Sequence, residues 1–216
     1  MTIGQQEWKQ DFFTQAPSIK LSDPLASVLG AVDEGAPIEY RFEDCVKVAG
    51  HACASVASAF MMTRLALKEL YKDALPVRGG VKVRFAGERT SGANGPIGQV
   101  IQFLTGAATE TGFHGLGGKY GRDNLFDYDP EFASPPGVIS AEFMRTDTGE
   151  KVTVMAEPSK VPLSQEEVEG AQMMPKVIQG TATEDERESF FTFWQGRNRK
   201  ILLEDHEGVF TVSRVE

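Results

Sequence analysis

Over residues 53 to 71, Cys53, Val56, Phe60, Thr63, Leu67 and Leu70 recur at steps of three and four. That spacing places all six on one face of a helix about five turns long. A face so apolar has to be covered, and the residues that follow supply the cover. Pro76 and Gly79-Gly80 lie beyond the helix end, and then Val81, Val83 and Phe85 alternate with Lys82, Arg84 and Ala86, the period-two pattern of a half-buried strand. A pair of strands is expected next from residues 138 to 144 and 151 to 155, which flank Asp147-Thr148-Gly149 as the turn of a hairpin. One long helix on a mostly antiparallel sheet defines an α+β domain with flanking helices.

Residues 5 to 15 have helical spacing at Trp8, Phe12 and Phe13, and Asp23-Pro24 has the form of an N-cap followed by proline at the first helical position. After the loop Thr90-Ser91-Gly92-Ala93-Asn94-Gly95-Pro96, a short helix is marked by Ile97, Val100, Ile101 and Leu104 and stops near Gly106. Residues 105 to 130 have weak periodicity and six glycines, and a connection of this length is usually functional. Ser164-Gln165-Glu166-Glu167 and Thr183-Glu184-Asp185-Glu186 have the capping-box pattern of two further helices. The second helix carries Phe190, Phe191, Phe193 and Trp194, read as packing on the sheet, with a homodimer interface as the sharper alternative. Residues 201 to 203 and 209 to 215 are expected to form a terminal hairpin turning at Glu207-Gly208. The division expected is an α+β core with N-terminal helices over residues 1–160, and C-terminal helices and hairpin packed on it over 161–216.

A chain of 216 residues, 41% hydrophobic, has ample material for a core, and a formal charge of -9 argues against nucleic acid or an anionic membrane as partner. No stretch approaches the roughly 20 apolar residues of a membrane span. Met1-Thr2-Ile3-Gly4-Gln5-Gln6-Glu7 has no basic-then-apolar leader pattern. The expectation is a cytoplasmic protein with a small-molecule partner. Two cysteines, Cys45 and Cys53, exclude a disulfide framework and a Cys-rich zinc ribbon.

Chemistry-bearing residues are few. Gly50-His51-Ala52-Cys53 brings an imidazole and a thiol to a helix start, where a thiolate is favoured. His114, inside Gly112-Phe113-His114-Gly115-Leu116-Gly117-Gly118-Lys119-Tyr120-Gly121, is the next available nitrogen ligand. Three protein ligands and a water would make an open zinc site. The plain alternative has Cys53 packing as a small hydrophobe and His51 closing a turn. The glycine run lacks the Gly-Lys-Ser/Thr ending of a phosphate-binding P-loop.

The segment Glu43-Asp44-Cys45-Val46-Lys47-Val48-Ala49-Gly50-His51-Ala52-Cys53 resembles the His-Gly-His-x-Cys-Pro-Gly stretch of the FmdE-like family, named for formylmethanofuran dehydrogenase. Gln99-Val100-Ile101-Gln102-Phe103-Leu104-Thr105-Gly106 is similar to that family's Asp-Ala-Ile-Gln-x-Leu-Thr-Gly, and Gly121-Arg122-Asp123-Asn124-Leu125 to its Gly-Lys-Gly-Asn-Leu. The resemblance implies a zinc-binding α+β protein. Ala49 and Ala54 stand where the family has histidine and proline, and Pro96 and Ala107 where it has cysteines, so His114 would complete the set. The resulting expectation is zinc or another transition metal on His51, Cys53 and His114, beside a small-molecule pocket with Gln102, Lys119 and Asn124 as polar contacts. Catalysis at such a metal would use Glu110 or Asp123 as base. The other classes are a non-catalytic cofactor-binding module, including haem on His51 or His114, and a purely structural protein.

Overall fold

The computed structural model describes residues 7–215; of the expected first helix, residues 5 and 6 lie outside them. The chain is α+β. Among the described residues, eight α-helices and seven strands follow in the order α1 (Phe12–Gln15), β1 (Ile19–Ser22), α2 (Pro24–Val28), β2 (Pro37–Tyr40), α3 (Phe42–Ala49), α4 (Ala54–Tyr71), β3 (Val81–Ala86), α5 (Asn94–Thr105), β4 (Phe126–Asp129), β5 (Ile139–Arg145), β6 (Lys151–Ala156), α6 (Gln165–Ala171), α7 (Met174–Gln179), α8 (Glu184–Leu203) and β7 (Phe210–Val215). The large sheet has the order β4-β3-β5-β6-β7, antiparallel except for the β3–β4 pair, and β1 and β2 form a separate two-stranded sheet.

The inner face of the large sheet is apolar because the strand registers align it. Val83 lies opposite Phe126 and Phe143, and Phe143 opposite Val152. Helix α4 covers this face, packing on β5, β6 and β7. Val56, Phe60, Met62 and Leu67 of α4 are buried with Val81, Val83, Phe85 and Phe143 in one core. The outer face shows Lys82 and Arg84, exposed to water, as a one-sided antiparallel sheet should. Arg214 of β7 is held on the α4 side by Glu69, 2.7 Å away. Among the described residues no helix is long and apolar enough to cross a membrane.

Local chemistry sets the element ends. Ser164 and Thr183 each accept the N–H of the glutamate three residues on, and each glutamate accepts the backbone N–H of its cap. Asp23 caps α2 through the Leu25 and Ala26 amides, with Pro24 in the first turn. Helix α5 ends at Gly106, whose φ of 72° is left-handed.

Four expectations are corrected. The N-terminal helix is a single turn, α1, and residues 7 to 10 stand outside it. Residues 201 to 203 are the last turn of α8, since a three-residue apolar run has no period of its own and the helix preceding it simply continues. Consequently β7 pairs with β6 in the large sheet and forms no terminal hairpin. The helix that carries the aromatic cluster, α8, packs on α1, α4, α6 and α7, and Trp194 Nε1 donates to Ala52 O in the α3–α4 turn at 2.8 Å.

Candidate binding cleft

His51 and Cys53 sit in the turn between α3 and α4. Gly50, with φ 74°, ends α3 and reverses the chain, and Cys53 is the residue before α4 in extended conformation. Both line a pocket of about 300 Å³ with Ala54, Ser55, Phe193, Trp194 and Arg197. His51 is exposed, and its Nδ1 lies 3.0 Å from the Ala49 carbonyl, an arrangement that uses the Nδ1–H and leaves Nε2. Cys53 is half-buried and makes no cap hydrogen bond. Cys45 faces the core, where burial and then the neighbouring Asp44 push its thiol far up, the state of an inert cysteine.

His114 belongs to a different environment. Its side chain is 77% exposed, and its Nδ1 stands 3.1 Å from Asp123 Oδ2. This contact, offset in part by desolvation, holds the Asp123 carboxyl below the usual aspartate value. Among the described residues no group of three or more His, Cys, Asp or Glu side chains is arranged to hold a metal ion. The donor set therefore does not fit a resident zinc, and no chemistry is routed through one. Lys119 closes a tight exposed reversal with Leu116, and Asn124, at φ 55°, donates to Asp123. Glu110 is exposed beside Arg89 and Asp127, away from the His51 pocket. Of the three residues expected to contact a ligand, Gln102 is the one that lines a cleft with partners of matching chemistry.

That cleft, about 390 Å³, lies at the C-terminal end of α5 and is lined by Val48, Arg78, Gln99, Gln102, Phe103, Gly106, Ala107, Ala108 and Arg122. Its charged floor is assembled from three distant parts of the chain. The end of β1 runs beside residues 76 to 78: Ser22 N–H donates to Pro76 O at 2.9 Å and Arg78 N–H to Ser22 O at 2.8 Å, which puts Asp23 next to Arg78. The loop after α5 returns beneath the helix end, with Ala108 N–H on Arg122 O at 2.8 Å and Arg122 N–H on Phe113 O at 2.7 Å. Arg122 Nη2 then donates to Asp23 Oδ1 at 2.7 Å, and Arg78 Nη1 to Asp23 Oδ2 at 3.3 Å. Arg78 Nη2 donates to Phe103 O at 2.8 Å, capping α5, and the Arg78 guanidinium lies 5.5 Å from the centre of the Tyr40 ring.

Two positive charges thus share one carboxylate in a site where the Arg122 side chain is 8% and the Asp23 side chain 7% exposed. Burial alone would raise the Asp23 pKa, but the Ala26 amide and the Arg122 and Arg78 charges outweigh it and hold the carboxyl below its ordinary value. Arg122 is lowered, first by burial; Asp23 raises it and Arg78 lowers it further. Arg122 Nη1 and Arg78 Nε are buried and have no hydrogen-bond partner among the described residues. Nη1 fits where it does because residues 79 and 106 are glycines; a β-carbon on Gly79 would stand 2.6 Å from it, and one on Gly106 would overlap it. Sequence reading finds Asp23 as a cap only, and Arg122 only as the basic residue of Gly-Arg-Asp-Asn-Leu; Arg78 carries no motif. Searches of protein-family models, curated proteins and solved structures found no match to this chain.

Proposed function

We propose that the chain is a non-catalytic small-molecule-binding domain whose ligand occupies the cleft at the end of α5. The observation that carries this reading is the lining itself. Arg78, Arg122 and Gln102 offer fixed hydrogen-bond donors beside the apolar Val48, Phe103 and Ala107, the mixture of apolar wall and a few convergent polar groups that holds small ligands. Guanidinium and amide groups hold and orient; they do not exchange protons near neutral pH.

The test is ligand-observed NMR with a panel of small metabolites, run on the wild type and on Val48→Trp. Val48 is on the exposed rim of the cleft, so tryptophan there obstructs the opening without entering the core. Binding of at least one panel member to the wild type and its loss in Val48→Trp is the expected result. No binding at all, or binding that Val48→Trp leaves unchanged, would overturn the reading. Elemental analysis adds a second check, because zinc at one equivalent per chain after purification would move the functional centre to His51 and Cys53.

A further inference from the structure

We infer that the cleft recognises an oxyanion, a carboxylate or phosphate group on a small molecule, through Arg122 and Arg78 with Gln102 at the rim. The inference rests on the reading of the cleft as a ligand site and names the chemistry of what enters it.

Two guanidinium groups and one carboxylate leave an excess of one positive charge in a buried cluster. Asp44 of α3, the other carboxylate that acts on Tyr40, is engaged by the Arg41 backbone N–H and by Lys47. Opposing an anion is the C-terminus of α5, whose carbonyls carry roughly half a negative charge. That opposition is already reduced, because Arg78 takes the Phe103 carbonyl and Gly106 N–H takes that of Gln102. The cluster at the cleft floor therefore carries one uncompensated positive charge.

Hydrogen bonding points the same way. A buried guanidinium rarely leaves a nitrogen unpaired, yet Arg122 Nη1 and Arg78 Nε both lack acceptors among the described residues. Each unpaired nitrogen is a single charged donor of the kind that a carboxylate or phosphate oxygen satisfies. Asp23 already holds Arg122 by Nη2 and Arg78 by Nη1, so both side chains are in place before any ligand arrives. Preorganisation of this kind removes ordering cost from binding.

The experiment titrates the full chain at constant ionic strength with inorganic phosphate, acetate and acetamide, following the backbone amides of Gly106, Ala107 and Ala108. Acetamide has the shape of acetate without its charge. Saturable shifts with phosphate or acetate, and at least tenfold weaker binding of acetamide, are expected; the preferred anion distinguishes a phosphorylated from a carboxylated ligand. Arg122→Gln should abolish the response. Because that variant disturbs a buried pair, Gln102→Glu is the second: it sets a carboxylate at the rim of the same cleft, should keep the wild-type circular dichroism spectrum and should weaken the anion at least tenfold. Equal binding of acetate and acetamide, or an unchanged anion affinity in Gln102→Glu, overturns the inference. If neutral panel members bind the cleft while neither anion does, only the oxyanion inference fails. If nothing binds, the small-molecule reading fails with it.

Discussion

The turn from α3 to α4 and the cleft at the end of α5 are both places where polar chemistry meets the core, but they are built in opposite ways. His51 and Cys53 are two residues apart in sequence; one is exposed and the other half-buried beside Trp194. Arg122 and Asp23 are 99 residues apart and buried together. Proximity in sequence gives an adjacent pair without a third ligand, whereas the tertiary fold gives a charged cluster that no local pattern displays. Buried charges are costly unless paired, so a fold that keeps two arginines on one aspartate there is held to that arrangement much more tightly than a surface imidazole is held to its turn.

The sharpest way to break this contrast is to remove one side of the buried pair. Arg122→Ala leaves Asp23 without its closest partner and should cost about 3–5 kcal/mol of unfolding free energy, measured by chemical denaturation. A loss under about 1 kcal/mol would mean that the pair behaves like a surface salt bridge. Gly106→Ala should follow at about 1–3 kcal/mol, because the left-handed φ strains any β-carbon and the new methyl meets Arg122 Nη1. Trp194→Phe, which deletes the bond to Ala52 O between α8 and the α3–α4 turn, should cost about 1 kcal/mol. His51→Ala should fall within about 0.5 kcal/mol of the wild type, as an exposed site does. The reverse order, with His51→Ala more damaging than Gly106→Ala, would invert the comparison.

Acid sharpens it further. The folded Asp23 carboxyl titrates below its ordinary value, so its contribution to stability is complete above the unfolded aspartate pKa of about 3.9 and disappears as the pH falls through the lower folded value. Wild type and Asp23→Asn should therefore differ most near neutrality and converge in acid. A stability difference that stays constant from pH 6 down to pH 2 would contradict this.

Where structure is local, the sequence displays it. The six positions spaced by three and four from Cys53 to Leu70 mark α4, Ser164 with Glu167 and Thr183 with Glu186 mark two helix starts, and Asp147-Thr148-Gly149 marks the β5–β6 hairpin. Strand β4 is hidden because Asp127 and Asp129 alternate with only Phe126 and Tyr128, too short a pattern to separate from the surrounding loop; it exists because β3 offers it a parallel edge. The C-terminal residues mislead for the opposite reason. Ile201, Leu202 and Leu203 are apolar enough for a strand, but α8 reaches through them, and Ile201 and Leu202 are buried as its last turn.

The candidate site is legible only in fragments. Asp23 shows its capping role and not its charge partners, since 55 residues separate it from Arg78. Gln102 is visible as one of two glutamines on α5, and both line the cleft. His114 draws notice because histidine is scarce here, and scarcity says nothing about position: it lies against Asp123 in the glycine-rich loop.

The most direct measurement of whether ligand chemistry resides at the arginines or at the histidine–cysteine turn is amide chemical-shift mapping of the isotope-labelled chain with a saturating oxyanion. Shifts concentrated at Gly79, Gly106, Ala107 and Ala108, and absent from Ala52, Cys53 and Ala54, are the predicted result. Shifts centred on Cys53 and Ala54 with Gly106 unmoved would contradict it.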